Sequence, residues 1–256
     1  MAKELKVVEE NLPTQVDIED ILAEYAGAGT SSAPEHNIVP LLYVLQSNSP
    51  AVNKRGDGYV DGAEPGDIWL RNGASPIVKG DVGVMFQPVM FQWSYVEWKP
   101  NRGGLVAVHD KRPTNAVQRK LDPSDDRLSW VTPDGNTVVD TCYVYGLIDF
   151  EEPYVIPLSS SGYRVARGWN SQAQSKKHDK TGNLLPIFAT KWRLKTKFKT
   201  NDRGDWFILD PVFENGEPTV KQILNGLKFF KSISSGERRA EAESVASATV
   251  DEEIPF

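Results

Sequence analysis

Between Trp192 and Lys199 the chain reads Trp-Arg-Leu-Lys-Thr-Lys-Phe-Lys, with a cation at every second position. Successive side chains of an extended strand point to opposite faces. One face therefore carries Arg193, Lys195, Lys197 and Lys199, and the other Trp192, Leu194, Thr196 and Phe198. At a rise of roughly 3.3–3.4 Å per residue the cations stand about 6.6–6.8 Å apart, close to the spacing of phosphates along an extended single strand. Such a row repels itself unless an anion covers it, and a polyphosphate also gains from released counterions. The competing reading is protective: lysines on an exposed edge strand discourage pairing with other chains.

The surroundings favour the anion. From Arg164 to Arg203 there are eleven Lys/Arg, among them Arg164, Arg167, Lys176, Lys177, Lys180 and Lys191, against two acids, Asp179 and Asp202. That stretch carries +9 in a chain of formal charge −6, which leaves −15 for the rest. Segregated charge is an interaction signal where a uniform −6 would speak only of solubility. Single strands are bound without sequence preference by a positive groove with aromatic platforms on which bases stack. Tyr163, Trp169, Trp192, Phe198 and Trp206 lie in or beside the basic stretch as candidate platforms. Trp98 leads into Lys99-Pro100-Asn101-Arg102-Gly103-Gly104, a basic loop able to close over a strand, so Trp98 and Arg102 join the candidate site. Phe91, Trp93 and Tyr95 alternate along one strand and suit either core or stacking.

Other chemistry finds little support. The sequence contains no phosphate-binding glycine loop, nucleophile elbow or His-Glu-x-x-His zinc motif. His36, His109 and His178 have no metal-ligand spacing with Cys142, the single cysteine, which also leaves no internal disulfide. Asp149, Glu151 and Glu152 at a strand end, or His109-Asp110 before Lys111-Arg112, are weak candidates for a metal-dependent nuclease. We expect no catalytic residue, metal or cofactor. No apolar run approaches the roughly 18–20 residues of a membrane span, and acids follow the N-terminus where a signal peptide would be apolar. A cytoplasmic location is expected.

The elements that must position these residues are mostly strands. Seventeen prolines and twenty glycines, scattered along 256 residues, favour short strands and turns. Residues 1–36 form an acidic arm and linker, with an amphipathic helix expected over Asp17–Ala26, where Ile18, Ile21, Leu22 and Tyr25 recur at helical spacing. Residues 37–233 form the binding core. Ile38–Gln46 suits strand or helix, Asp81–Trp98 is the longest strand-like region, and Cys142–Phe150 and Tyr154–Leu158 are further strands. Hairpins are expected across Pro133-Asp134-Gly135-Asn136 and between Thr190–Lys199 and Trp206–Phe213. A short helix over Ser171–Asp179 and a longer one over Thr219–Ile233 complete the core. Residues 234–256, rich in Ser, Ala, Glu and Arg, have the composition of a disordered tail.

That tail ends Asp251-Glu252-Glu253-Ile254-Pro255-Phe256. The tip resembles that of bacterial-type single-stranded DNA-binding proteins, with an acidic cluster before Ile-Pro-Phe, and is similar to the acidic, Phe-terminated tails of some phage replication proteins. Phe256 would offer a ring and a carboxylate to an apolar pocket rimmed by Arg or Lys. Pro255 would stiffen the backbone, and Asp251, Glu252 and Glu253 would steer it toward basic surfaces. The resemblance implies recruitment of a polymerase, primase, helicase or recombinase. It covers six residues of the tip, and the core is longer than a single compact domain of that family.

The combined expectation is an OB-like antiparallel barrel with insertions, a C-terminal helix and a disordered acidic tail. It would bind and protect single-stranded DNA in replication or recombination, in a host cytoplasm if phage-encoded, as a monomer or a homo-oligomer. The alternatives are a strand-annealing recombination protein and a structural virion or scaffold protein whose basic strand is an assembly contact.

Overall fold

A computed structural model of the chain describes residues 38–71, 77–121, 128–178, 181–202, 204–216 and 218–240. The N-terminal arm with its expected helix, Lys180, Arg203 and the tip Asp251–Phe256 lie outside the described residues.

Two long antiparallel strands organise the molecule: β5 (Val84–Trp98) and β9 (Thr137–Ile148), paired from Phe86↔Ile148 to Trp98↔Thr137. The remaining strands are β1 (Ile38–Val39), β2 (Leu42–Val44), β3 (Ile68–Leu70), β4 (Ile77–Val78), β6 (Leu105–His109), β7 (Val117–Lys120), β8 (Leu128–Val131), β10 (Glu152–Ser159), β11 (Trp192–Asn201), β12 (Gly204–Phe213) and β13 (Arg239–Ala240). Two helices accompany them, α1 (Ser160–Gln174) and α2 (Val220–Ser234).

Pro88 cannot donate to a ladder, and the register of β5 shifts there, between Pro88 and Met90. After the shift, Phe91, Trp93 and Tyr95 share a face with Phe86. Both central strands divide their outer edges. β5 pairs with β11 at Val84–Phe86 and with β6 at Tyr95–Trp98. β9 pairs with β10 over Thr141–Ile148 and with β8 at Thr137–Val138. The fold is thus mostly β and antiparallel, and the ladder β12-β11-β5-β9-β10 curls toward closure.

The hydrogen-bonded path stays open between β10 and β12, and the β2 segment spans the opening. Leu41 bridges Val155 of β10, whose N–H donates to Pro40 O at 2.9 Å. On the other side the side-chain amide of Gln46 exchanges two hydrogen bonds with the backbone of Phe207 in β12, each 2.9 Å. The result is barrel-like. Its interior holds Leu42, Val44, Phe86, Val144, Ile156, Trp192, Leu194 and Leu209. Gly146 is part of this packing, since a side chain there would collide with the Phe86 ring.

Helix α1 follows β10 directly and packs Ala166, Trp169 and Ala173 against that interior. The sequence predicts only a short helix from Ser171; the helix starts eleven residues earlier, and Gly162, Gly168 and several serines conceal it. Burial of one face, rather than propensity, holds it in place. Helix α2 matches its expected position, with Thr219 capping it reciprocally with Gln222. It covers the outer flank of the sheet, where Phe229 and Ile233 meet Tyr145, Leu147 and Val155. The strand leaving the expected Pro133–Asn136 hairpin and the expected strand Cys142–Phe150 are one continuous strand, β9.

Candidate nucleic-acid interface

Strands β11 and β12 form a hairpin whose register runs from Trp192↔Phe213 to Asn201↔Gly204. Trp192 and Leu194 are fully buried, which fixes the pleat and turns Arg193, Lys195, Lys197 and Lys199 to the opposite face. Across the pair these cations stand opposite Val212, Asp210, Ile208 and Trp206. The base of the hairpin is anchored. Thr196 Oγ1 donates to Gly66 O at 2.6 Å, its N–H donates to Gly80 O, and the Phe207 ring closes over Gly66 so tightly that a side chain there would clash. Beyond Thr196, Lys197, Phe198, Thr200 and Asn201 are exposed, while Lys199 and, on β12, Trp206 and Phe207 stay half-buried. Phe198 is 51% exposed, with its ring edge-on to Phe207 at 5.3 Å.

The four cations are not equivalent. Arg193 Nε binds Glu214 Oε1 at 2.7 Å, so its charge is already matched within the fold. Lys195, Lys197 and Lys199 have no ion pair among the described residues, although Asp210 sits across from Lys195. Strand β11 is flanked by β12 along its whole length, and on its other side by β5 and the Gly80 segment only as far as Thr196. The protective role of edge lysines therefore does not account for Lys195, while Lys197 and Lys199 stand on the stretch of β11 whose second side has no strand neighbour.

The other basic residues lie on α1, just beyond its end and at the hairpin base. Arg164 and Arg167 are exposed on α1, and Lys177 follows them on the surface. Lys176 Nζ lies 3.8 Å from the centroid of Phe213 and 5.9 Å from that of Trp192, joining the end of α1 to the start of β11. Half-buried Lys191 lies beside them, its carbonyl accepting from Glu214 N–H at 3.0 Å.

Three aromatic assignments need correcting. Trp169 is 2% exposed, packed against Phe86, Phe91 and Trp192 with centroids 5.3–5.9 Å apart. Trp192 is fully buried, its indole N–H donating to Thr190 Oγ1 at 2.9 Å. Trp98 is 3% exposed and stands at the far end of β5, about 45 Å along the strand from Val84 at a typical rise per residue. No base can stack on these rings in this conformation. The loop after Trp98 therefore lies away from the basic hairpin.

Two clusters escaped sequence reasoning. Arg112 binds Asp140 through two hydrogen bonds of 2.8 and 2.9 Å, and its guanidinium lies over Trp130 at 4.2 Å and Tyr95 at 5.0 Å. Tyr163 of α1 sits edge-on to Trp93 nearby, its hydroxyl pKa pushed up by burial and by Asp140. With its charge matched by Asp140, Arg112 ties β5, β8 and β9 together and leaves no free cation. Glu97, also largely buried, accepts from Asn136 Nδ2 and shares a hydrogen bond with His109 Nε2, both at 2.8 Å. The Asn136 hydrogen bond, then His109, hold its carboxyl below the usual glutamate range against the cost of burial. No local periodicity signals either cluster, because the partners are brought together only by strand pairing.

Cys142 is buried, and desolvation pushes its thiol pKa strongly upward. Among the described residues no group of three or more His, Cys, Asp or Glu is placed to hold a metal, and no helix is long and apolar enough to cross a membrane.

Residues 12–239 match the model of a family described as Pam3 phage gp34-like protein. No curated protein and no solved structure matches the chain. The matched region takes in the barrel, both helices and most of the N-terminal arm, and stops before the acidic tip.

Proposed function

The chain belongs to the Pam3 phage gp34-like family, and we propose that it binds single-stranded DNA without sequence preference during phage replication or recombination in the host cytoplasm. The observation that carries this reading is the row Lys195, Lys197 and Lys199 on one face of an anchored, projecting hairpin, unpaired among the described residues and accompanied by exposed Phe198. Phosphates would lie along the lysines, and a base would turn round the free edge of β11 to reach Phe198 on the opposite face. Arg164, Arg167, Lys176 and Lys177 would extend the track along α1. Lys191 would add charge at the hairpin base. Binding of this kind requires positioned charge and a stacking surface and performs no chemistry. The tip Asp251–Phe256 would recruit a polymerase, primase, helicase or recombinase.

The test is a titration of fluorescently labelled oligo(dT) with the full chain at several salt concentrations. Tight binding that weakens steeply with salt, with duplex DNA a poor competitor, is the expected result. Absence of binding by both the full chain and a form lacking Asp251–Phe256 would turn the basic hairpin into an assembly contact of a structural protein.

A further inference from the structure

A concavity lies away from the basic hairpin. It is a groove of about 790 Å³ along α2, floored by Leu147 and Pro153 and walled by Leu224 and Leu227. Leu224 is 57% exposed there, with other apolar side chains beside it. Lys228, Lys231 and Arg238 rim the groove, against Glu151 and Glu237; Lys221 stands 3.7 Å from Glu151 and offsets it. An amphipathic helix with an acidic face is the kind of occupant that such a surface accepts.

The chain contains one. Asp17–Ala26 places Ile18, Ile21, Leu22 and Tyr25 at i, i+3, i+4 and i+7 and adds four acids and no base. Ten residues are too few to stay helical alone in water, so the pattern calls for a surface to lie on. As a helix it would be about 15 Å long. We propose that Asp17–Ala26 docks into the α2 groove of its own chain, apolar face down.

Connectivity supports this occupant. The described chain begins at Ile38, which pairs in parallel with Arg239, the residue next to Arg238 on the groove rim. Residues 27–37 can span up to about 36 Å, more than enough to bring the segment back along α2. The family match spans residues 12–239, so it includes both the segment and the groove but omits the acidic tip, the other apolar and acidic candidate. Docking would cover the α2 flank and leave the hairpin face free.

The experiment uses the full chain with Ala23→Cys, on the polar side of the segment, carrying a nitroxide label; buried Cys142 stays unlabelled. Resonances of Leu224, Leu227 and Phe229 should selectively lose intensity, and adding Ile21→Asp should restore them. The loss should persist when labelled chains are diluted into unlabelled, isotopically silent ones. Intensities that do not change, or losses centred on the hairpin, overturn the proposal. So does a loss that appears only when the nitroxide sits on a different copy, which would mean exchange of arms between chains.

Discussion

Gln46 and Phe207, 161 residues apart, exchange two hydrogen bonds as two strand residues would: Gln46 Nε2 donates to Phe207 O, and Phe207 N–H donates to Gln46 Oε1, both at 2.9 Å. A side chain here does the work of a missing strand partner. Gln46 is almost fully buried, so no solvent replaces it easily. The same contact holds the inner residues of β12 in place, and with them the root of the hairpin that carries Lys195, Lys197 and Lys199.

Gln46→Ala should therefore be costly for a single polar residue. Two hydrogen bonds are lost and two backbone groups left unpaired, a destabilisation of roughly 2–4 kcal/mol. Gln46→Glu should not rescue it, because a carboxylate accepts from Phe207 N–H but faces Phe207 O with no donor. Urea unfolding followed by tryptophan fluorescence measures both. A change within error for Gln46→Ala would mean that β2 alone closes the barrel.

Converting Lys195, Lys197 and Lys199 to Gln should weaken oligo(dT) binding and flatten its salt dependence. Three lost phosphate contacts correspond to a slope shallower by about 2 in log K against log salt, at roughly 0.7 per contact for single strands. Arg193→Gln should change the slope less than any one of the lysines, since Glu214 already holds that guanidinium. An unaltered slope in the triple variant would remove the hairpin from the interface.

Phe198 and Trp169 should separate binding from folding. Phe198→Ala removes an exposed ring, so the melting temperature should stay close to that of the parent while affinity falls by about 1–3 kcal/mol, the worth of one stacked base. Trp169→Ala opens a cavity beside Phe86, Phe91 and Trp192 and should cost about 3–5 kcal/mol of stability. The fraction still folded should bind with unchanged affinity. The opposite pattern would place the stacking surface on α1.

Much of this architecture is legible in local pattern. The alternation in Phe91, Trp93 and Tyr95 marks β5, the Trp192–Lys199 alternation gives the two faces of β11, and Thr219 marks the start of α2 because a cap has a residue signature. Helix α1 is not legible, because Gly162, Gly168 and its serines read as loop and only contact with the barrel makes it a helix. The tryptophans mislead for a related reason. A ring that can stack on a base can equally fill a core, and nothing local distinguishes Trp192 at full burial from Phe198 at half exposure. Pairing across distance is hidden as well: Arg193 meets Glu214 and Arg112 meets Asp140 only through the sheet.

Glu97 supplies a stability test that depends on pH. Its carboxyl sits below the ordinary value of 4.5, held there by Asn136 and His109 more strongly than burial opposes. A carboxylate depressed in the folded state contributes fully above its unfolded pKa, and that contribution is lost as the pH falls through the lower folded value. Stability should thus begin to drop once the pH passes below about 4.5 and continue to fall beneath it. Glu97→Gln should be less stable at neutral pH, where Asn136 and His109 lose their anionic partner, and should show a shallower acid-induced decline than the parent. Urea midpoints for both chains between neutral and acid pH give the comparison. Parallel curves would mean that Glu97 is equally ionised folded and unfolded, and that the β5–β6 end is held by its packing around Trp98 alone.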